Sequence, residues 1–189
     1  GAAGAFPPLI GWAAVTGEVS LTAWLIFALI FLWTPPHFWA LALYKDVEYG
    51  KANIPMMPVV RGHHTTKLQM LVYTMLLIGC TTLLAVVGLM GIIYLVASII
   101  LGAGFAYYCI RVAFEENTEK WARRTFAYSI AYLALIFGAM SVDSVYTQHF
   151  TEQNYLLSIE RDAKRLRAEE SRARIERVRR GESPVAINP

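Results

Sequence analysis

The sequence predicts an all-α protein, a polytopic bundle of transmembrane helices, on three observations. Hydrophobic residues make up 56% of the 189 residues, and the mean hydropathy is +0.43; soluble domains are about 45–50% apolar. The apolar residues are concentrated in four long runs, each close to the ~20 residues that a helix needs to cross a bilayer. The connections between the runs alternate between those rich in Lys and Arg and those that contain neither, as successive crossings require.

The four complete spans are predicted at 21–44, 68–87, 92–114 and 126–145. Residues 1–15 look like the end of an earlier, fifth span that is bent at Pro7 and Pro8, and their small side chains suit close helix packing. The chain opens without Met and without a signal peptide, so we expect it to be part of a longer protein. The run Thr66-Lys67-Leu68-Gln69 fits a capping box, which predicts that Thr66 caps the second span.

The charges of the connections predict the orientation. Residues 45–67 and 111–124 each contain four Lys or Arg, whereas 16–22 and 88–91 contain none. By the positive-inside rule the two basic connections face the cytoplasm. The sequence therefore predicts a multi-pass protein of the bacterial inner membrane, or of the mitochondrial inner membrane, with loop 45–66 on the cytoplasmic or matrix side.

Two regions are predicted: a membrane domain over 1–150 and a charged tail, helical or disordered, over 151–189. Residues 152–189 carry nine Lys or Arg and seven Asp or Glu. The pairs Glu160/Lys164, Glu170/Arg174 and Glu176/Arg180 have the i,i+4 order that supports a helix. The tail is either a solvated extension or an arm that binds lipid headgroups or a partner.

Other features argue for a structural role or exclude a class of function. The net charge of +3 is small, and the sequence shows no basic face on a soluble fold. This argues against nucleic acid as a partner. Cys80 and Cys109 lie in apolar runs without metal-site spacing and are expected to be buried thiols. Asp143, near the outer end of the last span, is expected to be an interfacial helix-end residue.

Polar residues at membrane depth predict where the function lies, because their burial in lipid is costly. Pro35 and Pro36 are expected to break the first span, at a point that faces protein or a water-filled cavity. If the helix resumes afterwards, one stripe carries His37, Leu41, Tyr44 and Glu48. His37 then either serves a site or hydrogen-bonds a carbonyl that the prolines free.

The connection after the first span carries acidic and basic residues side by side. Asp46 and Glu48 could bind Mg²⁺, which takes one or two carboxylates together with substrate phosphates. Lys45, Lys51 and Arg61 would complement phosphate. The alternative is an ordinary solvated loop of mixed charge, with His63 and His64 as polar residues of that loop.

These segments resemble a known family. The runs WTPPHFWALAL at 33–43, EY at 48–49 and ANIPMMPVVRG at 52–62 are similar to the protohaem IX farnesyltransferases (haem O synthases) of the UbiA superfamily. GAFPPLIGWAAVTG at 4–17 is also similar. The resemblance covers roughly residues 1–145, and the tail resembles no family.

The resemblance implies a UbiA-like bundle of nine spans, of which this chain would hold the end of the fifth and the sixth to ninth. It implies transfer of a farnesyl group from farnesyl diphosphate to a vinyl group of haem B, with Mg²⁺ on the diphosphate. The earlier acidic motif of the family has no match here, so we expect these 189 residues alone not to catalyse. Glu48 stands where the family usually has Asp, and the family varies at Asp46.

The resemblance also implies roles for the residues of this region. The predicted catalytic residues are Lys45, Glu48, Tyr49 and Arg61. The predicted substrate-binding residues are His37, Phe38, Trp39, Tyr44 and Lys51, and the predicted metal ligands are Glu48 and Asp46. Expected partners besides the substrates and the lipid bilayer are haem A synthase or terminal oxidase assembly factors.

Two alternatives stay open on the sequence alone. One is another UbiA-type prenyltransferase that acts on an aromatic or quinone precursor. The other is a membrane transporter or assembly protein without enzymatic activity, in which a broken helix would form an ion site.

Overall fold

The computed structural model describes residues 1–51 and 55–180, except for the side chains of 148–152 and 178. Within these residues the helices are α1 Ala2–Thr16, α2 Leu21–Tyr44, α3 Asp46–Lys51, α4 Met57–Val86, α5 Ile92–Phe114 and α6 Thr118–Arg179. Residues 52–54 of the ANIPMMPVVRG run and residues 181–189 of the tail lie outside this description. Four segments are long and apolar enough to cross a membrane: Leu21–Tyr44, Met57–Val86, Ile92–Phe114 and Thr118–Thr147. The predicted polytopic helical bundle is confirmed.

Helix α2 runs through its two prolines, so the predicted interruption there is wrong. Ser20 caps the helix by accepting a hydrogen bond from the Ala23 N–H at 3.4 Å, and the helix ends only at Tyr44. Pro35 and Pro36 remove two backbone donors. The neighbouring Thr34 hydroxyl donates to the Ile30 carbonyl at 2.7 Å. The hydroxyl is therefore hydrogen-bonded within the helix.

Helix α4 begins earlier than predicted and breaks at Gly62. It starts at Met57, and Gly62 adopts φ 80° and ψ 163°, a conformation that favours glycine because it has no Cβ. Thr66 is fully buried and donates to the Gly62 carbonyl at 2.9 Å. Its predicted role as the cap is therefore wrong, because helix already precedes it. In the described residues, the connection after α2 contains the short helix α3 and leads into the first turns of α4.

The chain divides into two compact units, Gly1–Ser144 and Val145–Pro189. In the first unit, α4, α5 and the first part of α6 enclose large side chains that are fully buried, among them Leu77, Phe105 and Tyr132. The Phe105 and Tyr132 rings lie 5.1 Å apart. This aromatic core positions α6 against the other spans.

The second unit continues α6 as a charged helix as far as Arg179. Two of the predicted pairs form, Glu160 with Lys164 at 2.7 Å and Glu176 with Arg180 at 3.1 Å. Glu170 and Arg174 do not come within ion-pair distance in the described tail. Exposed pairs of this kind contribute only about 0–1 kcal/mol each. The predicted domain boundary at residue 150 stays a prediction.

Asp143 is buried within the protein, and it caps α5 from the facing helix; its predicted place at the membrane interface stays a prediction. Only 2% of the residue is exposed. Its carboxylate accepts hydrogen bonds from the backbone N–H of Gly91 at 2.5 Å, of Ile93 at 3.1 Å and of Tyr94 at 3.2 Å. A Cβ on Gly91 would stand 2.8 Å from Asp143 Oδ1, so this close approach requires glycine. The carboxylate satisfies helix-start donors that lipid cannot.

We expect replacement of Asp143 by Ala to destabilise the protein more than replacement of an exposed Asp. The loss of an N-cap alone costs about 0.5–2 kcal/mol, and the donors left here are partly buried. Thermal unfolding of the purified protein in detergent measures the change, with Asp162→Ala in the exposed tail as the matched control. Equal melting temperatures for the two variants would contradict the capping role.

Candidate functional site

His37 lies at the contact between α2 and α6. Its ring stacks on Trp33 at 4.3 Å and on Phe126 at 4.7 Å, at interplanar angles of 19° and 27°. Two rings cannot share one face at these distances, so they cover opposite faces. His37 Nδ1 lies 2.7 Å from Ser129 Oγ, and Trp33 Nε1 donates to the Ser129 carbonyl at 2.8 Å. His37 thus bonds a side chain of α6, and this contact joins the two helices.

The Ser129 hydroxyl lies within hydrogen-bond distance of two groups, His37 Nδ1 at 2.7 Å and the Phe126 carbonyl at 2.6 Å. When the hydroxyl donates to the Phe126 carbonyl, its oxygen accepts from His37 Nδ1–H. In that tautomer of the neutral ring, Nε2 carries a lone pair, which can accept a proton or bind a metal ion.

An open pocket of about 520 Å³ lies at the same α2–α6 contact, beyond the C-terminal end of α2. Its lining includes Tyr44, Asn117, Glu119, Lys120, Arg123 and Arg124. The Arg123 guanidinium lies 5.8 Å from the centre of the Tyr44 ring, within the range of a cation–π contact. Tyr44 therefore belongs to a basic pocket. We call it the α6 basic pocket.

The carboxylates of α3 have two different partners. Glu48 Oε1 accepts from Lys45 Nζ at 2.6 Å, and Asp46 Oδ2 lies 2.8 Å from His63 Nε2. The Glu48 carboxylate raises the pKa of Lys45 above its usual value, chiefly through this hydrogen bond, so Lys45 is cationic at neutral pH. Of the predicted metal ligands, Glu48 is thus compensated by a cation and Asp46 contacts an imidazole ring.

The other predicted residues are spread around these two places. Half of Phe38 is exposed, and Trp39 makes an edge contact with Tyr73 of α4 at 5.3 Å. Lys51 ends α3 with its side chain exposed, and Arg61 is exposed just before Gly62. The Tyr49 N–H donates to the Lys45 carbonyl at 3.0 Å. Glu48 lies on α3, separate from the α2 helix that carries His37 and Tyr44.

The sequence alone does not single out the α6 side of this region. It presents Lys120, Arg123 and Arg124 as charges of an inner connection and Ser129 as one residue of a span. The available signal was that a serine and three cations lie within ten residues of one helix. Only the packing of α6 against α2 shows that Ser129 contacts His37 and that Arg123 contacts Tyr44.

The carboxylates of α3 suit Mg²⁺ by their chemistry. This ion binds hard oxygen donors. It usually takes one or two carboxylates from the protein, and substrate phosphates and water fill the remaining positions. Each carboxylate keeps a second oxygen beside the one that contacts Lys45 or His63. Within residues 1–51 and 55–180, no group of three or more His, Cys, Asp and Glu is arranged to hold a metal ion by itself. The donor set fits a metal that arrives with its substrate.

The chain is similar to known proteins over this whole region. The model of the UbiA prenyltransferase family matches residues 1–143. A relative named Protoheme IX farnesyltransferase from Nitrosomonas eutropha is 52% identical over 143 residues, which cover 76% of this chain and 48% of that protein. Relatives of the same name from Bartonella tribocorum and Cupriavidus taiwanensis are each 49% identical, over 149 and 143 residues.

These matches cover 77% and 76% of this chain and 48% and 46% of the two relatives. The chain thus spans about half the length of the curated relatives it matches. No solved structure matches it. With a family model that matches residues 1–143 and four membrane spans in that region, the chain belongs to the UbiA prenyltransferase family.

Proposed function

We propose that the protein transfers a farnesyl group from farnesyl diphosphate to a vinyl group of protohaem IX. The observation that carries the proposal is the identity of about half of the aligned residues with proteins named Protoheme IX farnesyltransferase. Family membership supports prenyl transfer. The name of these relatives supports the acceptor.

The proposed reaction breaks the bond between C1 of the farnesyl chain and the diphosphate oxygen, and the electron pair leaves with diphosphate. The vinyl group supplies the electron pair of the new carbon–carbon bond. Water then adds to the resulting cation and releases a proton, which leaves a hydroxyethyl-farnesyl side chain. No oxidant or reductant is needed.

The α3 region is suited to the diphosphate. Lys45, Lys51 and Arg61 supply positive charge as negative charge develops on the leaving group. Glu48 and Asp46 would hold Mg²⁺, which neutralises the diphosphate when it is bound. Tyr49 lies beside them on α3, where its hydroxyl could donate to a phosphate oxygen. These roles are supported by the position of the residues and by their chemistry.

The α2 region is suited to the apolar substrates. Phe38, Trp39 and Tyr44 offer aromatic surface to a prenyl chain and to a porphyrin plane. An aromatic face also stabilises a passing carbocation. His37 presents the Nε2 lone pair for orienting the haem or ligating its iron. We propose that this end of the bundle faces the cytoplasm or the matrix, since the basic connections lie here.

The test is made with the protein expressed from its complete reading frame in membranes. Supplied with haem B, farnesyl diphosphate and Mg²⁺, it should yield a farnesylated haem, detected by chromatography and mass, and EDTA should abolish the product. Absence of product from intact protein would contradict the proposal. Product with an aromatic or quinone precursor instead would identify another acceptor class.

We expect Glu48→Ala to reduce turnover about 100-fold or more, because a carboxylate that holds Mg²⁺ against a developing charge acts in the transition state. Glu160→Ala is the matched control. Glu160 is 60% exposed and pairs with Lys164 at 2.7 Å, while Glu48 is 67% exposed and pairs with Lys45 at 2.6 Å. Equal turnover of the two variants would remove the metal role of Glu48.

We expect His37→Ala to weaken haem binding about tenfold, the loss of one directed interaction, and Ser129→Ala to weaken it less, since the ring then loses only its orienting partner. Haem absorbance during titration measures both. Ser158→Ala is the matched control, because its hydroxyl also donates to the carbonyl three residues earlier, at 2.7 Å, but it lies on the exposed tail. Unchanged binding by His37→Ala would leave His37 a packing residue alone.

A further inference from the structure

We infer that the α6 basic pocket binds the propionate carboxylates of the porphyrin substrate. This inference rests on the proposed function and deepens it. It assigns a carboxylate subsite to Lys120 and Arg123, with Arg124 at its edge. Three observations carry it: the uncompensated charge of the pocket, its apolar wall, and its place on the same helix contact as His37.

The charge of the pocket has no internal partner. Lys120, Arg123 and Arg124 all line it. None of them makes an ion pair with a carboxylate in the described part of the chain. Arg123 and Arg124 lie over the faces of Tyr44 and Trp121, at 5.8 and 4.9 Å. An aromatic face does not neutralise a cation, so an anionic ligand would complete the pocket.

The start of α6 adds to the positive potential. Asn117 Oδ1 accepts from the Lys120 N–H at 3.2 Å and so closes the first turn. The positive end of the helix dipole lies here. Glu119 is the single acidic side chain among the pocket-lining residues that the structure describes, so the positive charge prevails. Carboxylates accept charge-assisted hydrogen bonds from guanidinium and ammonium groups at such a place.

The pocket is suited to an anion with an apolar body. The Tyr44 ring and the Ala127 methyl group form part of its wall. A porphyrin has a broad apolar plane and carries its two carboxylates along one edge. The plane would lie along α2 while the carboxylates reach the cations at the end of the helix.

The position along α2 agrees with the role proposed for His37. Tyr44 follows His37 by seven residues, or about 10 Å along the helix. Both side chains face α6, one through Ser129 and the other through Arg123. A porphyrin held by its edge at the basic pocket would therefore extend toward the His37 side of the same contact.

The balance of charge separates this pocket from the proposed diphosphate site. A diphosphate that binds through Mg²⁺ needs carboxylates, and α3 supplies Asp46 and Glu48, which contact His63 and Lys45. The α6 basic pocket has three cations and one carboxylate. It suits a carboxylate bound directly, without a metal ion between.

The test compares haem B with its dimethyl ester, in which both propionates are uncharged. The protein from the complete reading frame is placed in nanodiscs of phosphatidylcholine alone, and binding is followed by haem absorbance. We expect the wild type to bind the acid at least about tenfold more tightly, the effect of one or more charge-assisted hydrogen bonds. Arg123→Gln and Lys120→Gln should lower this preference and leave binding of the ester unchanged, whereas Lys164→Gln in the exposed tail should not alter it.

Several outcomes would overturn the inference. These are equal binding of acid and ester by the wild type, equal weakening of both by Arg123→Gln, and no haem binding at all. A raised KM for farnesyl diphosphate with unchanged haem binding would assign the pocket to the diphosphate. An effect of the variants that appears only when phosphatidylglycerol is added would assign it to a lipid headgroup.

The inference and the proposed function can fail separately. If the wild type prefers the acid, and the two variants remove that preference, but no farnesylated haem forms, the carboxylate subsite stands and the proposed reaction falls. If product forms but its rate and the binding are the same for acid and ester, the reaction stands and the subsite falls.

Discussion

The contact between α2 and α6 is the interaction on which the candidate site depends. Trp33 and His37 reach across it to one residue, Ser129, whose carbonyl accepts from Trp33 and whose hydroxyl hydrogen-bonds to His37. Lipid offers no hydrogen-bond partner to a polar side chain, so these hydrogen bonds are made within the bundle. They fix the rotation of α2 about its axis, and this rotation decides that Tyr44, two turns further on, faces Arg123.

Asp143 applies the same constraint at the far end of the membrane-spanning part of α6. Its carboxylate meets the first N–H groups of α5, so this part of α6 is tied to α5 near one end and to α2, through Ser129, nearer the other. Next to Ser129, the Tyr128 hydroxyl donates to the Leu101 carbonyl of α5 at 2.9 Å. The position of the basic side chains at the start of α6 follows from this three-point attachment, since a helix is stiff over such a length. A site residue on α6 is thus placed by contacts that lie many residues away from it.

The spans were predictable because apolar length is a property of each segment alone. The interval 21–44 was predicted to the residue, and 92–114 likewise. What failed was local backbone detail: α2 continues through Pro35 and Pro36, and α4 breaks at Gly62 and not at a cap on Thr66. In a sequence, a proline pair is compatible with a break in the helix or with a helix that continues through it. Packing against the neighbouring helix determines which of the two forms. Likewise, residue type alone was enough to propose Lys45, Asp46 and Glu48 as site residues. The structure shows that Lys45 pairs with Glu48 and that Asp46 contacts His63.

The two places of the candidate site differ in how their charge is held, and this difference has a consequence for the order of binding. In the proposed reaction, a metal–diphosphate on α3 would have to exchange with contacts that already exist, Lys45 with Glu48 and His63 with Asp46. Their release would cost part of the binding energy, but it would free Lys45 as a cation for the leaving diphosphate. At the start of α6, no ion pair among the described residues would have to be broken, so an anion would meet cations that are already free. A porphyrin bound there, as inferred above, would be held before the α3 contacts rearrange, and the acceptor would then be in place when the proposed prenyl cation forms.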